Sequence, residues 1–583
     1  MHTMQTMQTM QIMTDSRSER TYDAIVVGSG ITGGWAAKEL SEKGLKTLVL
    51  ERGRKVEHIK DYTTANMDTW DLPNRGKIHP EEIARDYPKQ NRTGYTINEA
   101  GKHFFVKDSE HPYQEKRRFD WMRGYHLGGR SLTWGRQSYR WSPMDFEANL
   151  KDGMGVDWPV RYSDIAPWYD YVERFIGVSG ENRGFSQLPD GHLLPPMEMS
   201  CVETHFRTEV EREITGRAVT IGRTAHLTAN LPHANTGQRS QCQYRNRCRR
   251  GCPYGGYFSS LASTLPAAQL TGNLTIATDA IVHEVVYDPD TRRATGVRVI
   301  NRITGQHDEF YARVIFLCAS AIASAAILMQ SKSDRFPNGM GNDSDQLGRN
   351  IMDHHLEVGA YGKHEGFQDK HEKGRRPNGI YIPRFRNLGA TSRHPDFIRG
   401  YGYQGYSSRE DWTRGIAEMQ VGKAAKEQLF YPGQWTLGLE GFGECLPDPK
   451  NRMRLDYDRL DQWGLPTVEF DAGFGTNEMA MRNDIATQAA EMLEASGFKA
   501  IETFDLGANM GLGIHEMGTA RMGRDKKTSV LNGWNQVHEV PNVFVTDGAF
   551  MTSSACQNPS LTYMAFTARA AHYAVEALRK GSL

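Results

Sequence analysis

The chain has 583 residues, and its 70 Lys plus Arg are balanced by 70 Asp plus Glu. That length allows several domains and a large core, and the charge balance gives no ground for a nucleic acid or an anionic membrane surface as partner. No apolar run is long enough to span a membrane; the longest, 314–329, is broken by Ser320 and Ser324 and reads as a strand followed by a helix.

In chain order, residues 1–20 repeat Met-Gln-Thr, lack the apolar core of a signal peptide and are expected to be disordered. Residues 21–53 read as a βαβ unit. Tyr22 to Val27 is a buried strand, and Gly28, Gly30, Ile31, Thr32 and Gly33 form a turn that aims the N-terminal amides of the next helix at a pyrophosphate. The second strand, Thr47 to Leu50, ends at Glu51 and Arg52. Glu51 stands 18 residues after Gly33, where a carboxylate accepts hydrogen bonds from a ribose diol and repels a 2′-phosphate.

From Lys55 to about Arg118 the chain is polar and irregular, suited to wrapping the surface or covering a cofactor. Gly128 and Gly129 then allow backbone to approach a ligand closely, and Ser131 is placed to cap the next segment or bond a phosphate. Of seven cysteines, Cys242, Cys248 and Cys252 crowd together with Pro253 following, which is wrong for a disulfide framework and right for one local centre. Three thiolates suit a [3Fe–4S] cluster, flanked by Arg245, Arg247, Arg249 and Arg250. A zinc with His233 as fourth ligand and plain reduced thiols are the alternatives.

Strands resume at 274–277, 281–286 (including Val282) and 294–300, and 313–329 gives another strand and helix. Between 347 and 505 aromatic and charged residues mix without βαβ rhythm. There Tyr361, Tyr381, Tyr401, Tyr403, Tyr406, Trp412 and Trp435 offer flat faces for a sugar ring or simply fill a core. Nucleotide-domain character returns at 543–548 with Asp547 and Gly548. A last helix starts at Asn558-Pro559, with proline in its first helical position. The expected fold class is α/β (α+β overall): a Rossmann-like domain assembled from 21–160, 271–346 and 506–583, with a mainly antiparallel β-sheet substrate domain inserted at 347–505. A partly irregular segment at 161–270 carries the cysteines.

The glycine turn with Glu51, Gly128-Gly129-Arg-Ser131-Leu-Thr-Trp134, Gly348-Arg-Asn-Ile-Met-Asp-His354, His515-Glu-Met-Gly518-Thr-Ala-Arg521-Met-Gly523, Asp547-Gly548 and Asn558-Pro559-Ser-Leu-Thr562 occur in one order. Together they resemble the glucose-methanol-choline (GMC) oxidoreductases from residue 21 to the C-terminus, in the branch of pyranose oxidases and bacterial sugar dehydrogenases. The resemblance implies FAD, with Val282 at the adenine, Asp547 at the flavin's phosphate or ribityl region, and Gly548 and Pro559 beside it. Thr133 stands where pyranose oxidases carry the histidine that bonds flavin covalently, so the FAD is expected to be non-covalent.

His515 and Asn558 fall at the family's catalytic positions. An imidazole with a reference pKa near ~6.5 is available as the base for a hydroxyl proton, and the amide would hold the same hydroxyl. Read without the family, they are a core histidine and a helix cap. The cysteine spacing resembles that of FAD-dependent glucose dehydrogenase and glucoside 3-dehydrogenase catalytic subunits, which implies a [3Fe–4S] relay, a small accessory subunit and a cytochrome c-type acceptor. The expected activity is oxidation of a secondary alcohol of a sugar or glycoside, C3 preferred, to the keto-sugar. Rival readings are an oxidase that makes H2O2 and a redox-inert flavoprotein subunit. Without a signal of its own, the chain is expected either in the cytoplasm or in the periplasm by co-export with a partner.

Overall fold

The computed structural model describes residues 19–231, 238–371, 376–410, 421–430 and 433–583. The expected disorder of residues 1–18, His233 as a ligand and Trp412 as a sugar-facing ring lie outside the described residues.

Five parallel strands make the central layer. Thr21–Val27 is flanked in parallel by Thr47–Leu50 on one side and His307–Leu317 on the other. Leu274–Ala277 and Val540–Val545 extend the parallel sheet outward at either side. Residues 24–27, 47–50 and 314–317 are all buried, the continuous burial expected of parallel strands covered on both faces. Gln536–Val537 caps one edge, and Ala280–Asp288 with Arg293–Asn301 forms an antiparallel meander onto His307–Leu317. The helix Ile31–Glu42 packs against Thr264–Leu270 and the C-terminal helix Ser560–Arg579. Pro559 precedes that last helix at its cap position instead of occupying the first helical position, with Ser560 the first helical residue.

The second sheet is antiparallel throughout, in the order Lys499–Asp505, Val358–His364, Trp435–Gly443, Tyr401–Arg409, Ile380–Ile382, Thr220–Ile221. Its last strand comes from the segment that also carries the cysteines. The helix Thr476–Ala495 packs Met481, Ile485, Ala489 and Met492 against one face.

The period-two alternation of a strand decides what the aromatic residues do. Tyr401, Tyr403 and Trp435 point into that helix-covered core and are fully buried, and Tyr381 stacks on Tyr139 in another buried cluster. The Tyr401 hydroxyl donates to Asp484 and the Tyr403 hydroxyl to the Ile485 carbonyl. Tyr361 is exposed at the sheet's outer surface, where its hydroxyl bonds Glu502. Of the described members of the expected sugar-facing set, only Tyr406 lines the large cavity. Of the two readings, Tyr381, Tyr401, Tyr403 and Trp435 take the core one, and Tyr361 lies on the surface.

Candidate active site

One cavity of about 1310 Å³ runs from the glycine turn, past His515, to the cysteine loop. Ligand pockets usually occupy roughly 300–1,000 Å³, so it has room for a dinucleotide and a second ligand together. Gly28, Gly30, Ile31, Thr32, Glu51, Arg52, Gly129, Ser131, Val282, His515, Asp547, Gly548 and Asn558 all line it. Gly33, Gly128 and Pro559 stand behind the wall.

At Gly33 an added Cβ would lie 1.9 Å from the Gly28 carbonyl oxygen, so only glycine lets the helix approach the turn this closely. Gly28 has φ +94, and a Cβ there would meet the Cys318 carbonyl oxygen at 2.5 Å. At Gly30 the space is open toward the cavity. This glycine wall, closed behind and open in front, fits the pyrophosphate of FAD.

The polar residues of the cradle are also braced by protein. Glu51 Oε2 accepts from the Ser29 amide (3.1 Å) and hydroxyl (2.5 Å), and Oε1 accepts from the Gly53 amide at 2.8 Å. Burial pushes its pKa up. About one acceptor position of the carboxylate is left for a ribose hydroxyl. Ser131 donates to the Gly128 carbonyl (2.5 Å) and accepts from the Ser260 amide (3.1 Å), so it staples two loops instead of standing free for a phosphate. Asp547 accepts from Ser324 Oγ (2.5 Å) and the Ala549 amide (3.0 Å), and burial lifts its pKa to about 6. Arg52 lies over the Tyr125 ring at 4.7 Å.

His515 and Asn558 meet although 43 residues separate them. Asn558 Nδ2 lies 3.4 Å from His515 Nε2, and Asn558 Oδ1 accepts from Gln404 Nε2 at 2.8 Å. Gln404 thus turns the donor end of the amide toward the imidazole. On the other side, His515 Nδ1 is 2.8 Å from His354 Nδ1. Next to His515, Glu516 forms a bidentate pair with Arg130 at 3.2 and 2.8 Å.

Burial, then the neighbouring His354 and Arg130, hold the His515 pKa well below the ordinary imidazole value. A base of lowered pKa keeps its lone pair as the pH falls. The acid limb of kcat/KM is therefore expected below the reference imidazole value of about 6.5, measurable in a pH–rate profile. An acid limb at or above that value would show that burial does not govern this residue.

Cys242, Cys248 and Cys252 line one small cavity with His226, Tyr254 and Tyr257, and Cys248 also lines the large cavity. Cys248 Sγ lies 3.6 Å from His226 Nε2. Burial pushes the Cys242 thiol up to about 11 and raises Cys248 as well. Among the described residues, no three His, Cys, Asp or Glu side chains converge as they would around a single metal ion. Three of the flanking arginines turn partly aside: Arg245 donates to the Ala65 carbonyl, Arg250 to the Met67 carbonyl and Arg247 to Asp68. Buried Arg136, over the Tyr257 ring at 4.8 Å, faces the thiols instead; its Nε and Nη1 have no hydrogen-bond partner among the described residues.

Sequence reasoning gave His354 no role beyond its motif and missed Gln404, His226 and Arg136. Only Gln404 carried a usable signal, since it alternates with Tyr401 and Tyr403 on one strand. Among the described residues, no helix is long and apolar enough to cross a membrane.

The N-terminal GMC oxidoreductase family model matches residues 22–356 and the C-terminal model matches 447–567. The 2-methyl-1,2-propanediol dehydrogenase of Mycolicibacterium austroafricanum is 27% identical, over 94% of this chain and 94% of its own. The fructose dehydrogenase large subunit of Gluconobacter japonicus is 24% identical, over 96% and 98%. Paromamine 6'-oxidase of Streptomyces fradiae is 27% identical, over 96% and 92%. Among solved structures, pyridoxine 4-oxidase from Mesorbium loti superposes with a TM-score of 0.58 at 18% identity, covering 94% of this chain and 98% of that one.

Proposed function

The chain belongs to the GMC oxidoreductase family, FAD-dependent enzymes that act on alcohol groups, and on that premise we propose that it is a dehydrogenase of sugar or glycoside secondary alcohols, with C3 the preferred position. The observation that carries the reading is the His515–Asn558 pair, opening on the same cavity as the glycine cradle. The same cavity wall also carries Asn378, Gln404, Tyr406 and Glu440, polar groups that a polyhydroxylated substrate can bond. The fructose dehydrogenase relative supports a sugar substrate.

When bound, FAD supplies the acceptor for the hydride that leaves the carbinol carbon. The protein's own part is to hold the hydroxyl and remove its proton. An oxygen seated between the two side chains accepts from Asn558 Nδ2 and donates to His515 Nε2, which orients one C–H for departure. As the C–H electron pair leaves, His515 Nε2 takes the O–H proton and the carbon–oxygen bond becomes a carbonyl. Thr133 lines this cavity and cannot form the covalent flavin bond of a histidine, which supports a dissociable cofactor.

Electron exit through an iron–sulfur centre at Cys242, Cys248 and Cys252 belongs to the same proposal, as do a small accessory subunit and a c-type cytochrome acceptor. Three thiols beside a buried guanidinium, two of whose nitrogens have no hydrogen-bond partner among the described residues, suit an anionic sulfide-bridged cluster better than a lone zinc. The cavity they line is closed to about 30 Å³, so the three side chains must swing apart to admit one. Held by these thiolates, such a centre would supply one-electron transfer. The second reading, an oxidase, is favoured by the similarity to paromamine 6'-oxidase.

Iron, acid-labile sulfide and flavin content of anaerobically purified protein, with its EPR spectrum, separates the two. About three irons per flavin and an oxidised three-iron signal are expected. Iron-free protein that makes peroxide from a sugar would establish the oxidase.

A further inference from the structure

We propose that His354 is a positioning residue that fixes the tautomer of His515, keeping Nε2 bare toward the hydroxyl to be oxidised. The inference rests on the reading of His515 as the base.

The assignment follows from the partners at both ends of a short chain of side chains. His354 is fully buried, and its Nε2 faces two carbonyls, Ala555 O at 2.9 Å and Ser554 O at 3.4 Å. Carbonyls only accept, so His354 Nε2 carries a hydrogen. Burial holds His354 neutral down to about pH 4, which leaves its Nδ1 without a proton. The 2.8 Å contact between the two Nδ1 atoms then requires that His515 Nδ1 be the donor. A neutral His515 that donates from Nδ1 presents a lone pair at Nε2. The far end demands the same answer independently: Gln404 donates to Asn558 Oδ1, so the Asn558 amide nitrogen is the group facing His515 Nε2 and needs an acceptor there.

The surrounding backbone holds this arrangement rigidly. The Asp353 carboxylate accepts from the amides of His354 (2.9 Å), Gly513 (2.9 Å) and His515 (3.0 Å), clamping both histidines to one group. Ile514, just before His515, has φ 53, and Ala555, whose carbonyl anchors His354, has φ 52. Both are left-handed conformations that non-glycine residues seldom adopt, and strain of this kind persists only where neighbours over-determine it. Without His354, His515 is free to protonate at Nε2, and that tautomer cannot accept the hydroxyl proton.

The test compares H354F, H354N and H515A with the unaltered holoenzyme. The assay uses the best substrate of a sugar panel with a small dye as acceptor, recording kcat, KM, the pH profile, flavin content and Tm. H354F is expected to lower kcat by on the order of 10²–10³ with KM nearly unchanged, as a wrong tautomer does in other histidine-dependent enzymes. H354N, whose Oδ1 can stand in for the missing acceptor, should recover at least about tenfold of that loss. The acid limb should stay below the ordinary imidazole range, since burial, the largest cause of the lowered His515 pKa, persists in both variants. Equal kcat in H354F and the unaltered enzyme would overturn the proposal. So would equal losses in H354F and H354N, the result of a packing role alone. If H354F fails to load flavin, H354N against H354A makes the same comparison. An active H515A would remove the base itself, whereas an inactive H515A beside a fully active H354F would remove only the positioning role.

Discussion

Replacing His515 with alanine is expected to lower turnover by on the order of 10²–10⁴ while FAD remains bound, the usual effect of losing a general base. The expectation has two parts because the residue lies at the junction of two environments. Its Nε2 faces Asn558 and the substrate end of the cavity. The cradle of Gly28, Gly30 and Gly33 is built from different elements, Thr21–Val27 and Ile31–Glu42, and does not depend on it. Flavin absorbance and steady-state rates on the same preparation check both parts. Loss of flavin along with activity would make His515 a cofactor ligand, and near-normal turnover would move the base elsewhere.

The second large effect is expected at Gly33. A methyl group there would press to 1.9 Å from the Gly28 carbonyl, which is backbone and is itself held against Cys318. The helix Ile31–Glu42 would have to retreat, and overpacking of a buried site costs about 1–3 kcal/mol or more. That retreat also withdraws the helix N-terminus from the pyrophosphate. Gly33→Ala should therefore be purified without flavin, with a Tm several degrees lower, or not fold at all. Gly30→Ala is the informative control. Its Cβ meets no protein atom, so the fold should keep its Tm while the methyl group intrudes on the cofactor and weakens FAD binding. Full flavin loading in Gly33→Ala would show that the turn is looser than this packing implies.

Much of this was legible in the sequence because the chemistry of a nucleotide cradle is local. A strand, a glycine turn and an acid at fixed spacing announce themselves within about thirty residues. His515 and Asn558 were legible only as parts of longer motifs; nothing in either residue's neighbourhood says that they meet. The aromatic stretch left sugar face and core both open, since composition does not reveal which face of a strand is covered. The alternation of Tyr401 and Tyr403 with Gln404 and Tyr406 was nonetheless present in the sequence. His354 was visible in a motif, but its task depends on two carbonyls contributed by residues 554 and 555, some two hundred positions away. At the cysteines, attention fell on His233 and the nearby arginines, while folding brings His226 and Arg136 to the thiols from loops earlier in the chain.

The most direct measurement is an anaerobic titration of the flavin absorbance band of the holoenzyme with a panel of sugars, glycosides and simple alcohols, run on the unaltered chain and on His515→Ala. Bleaching by one or more sugars or glycosides in the unaltered chain, with bleaching slowed at least about a hundredfold in the variant, is the expected result. A flavin that no sugar reduces, or one that bleaches equally fast without the imidazole, would contradict the assignment of this cavity as a sugar-oxidising site built on His515.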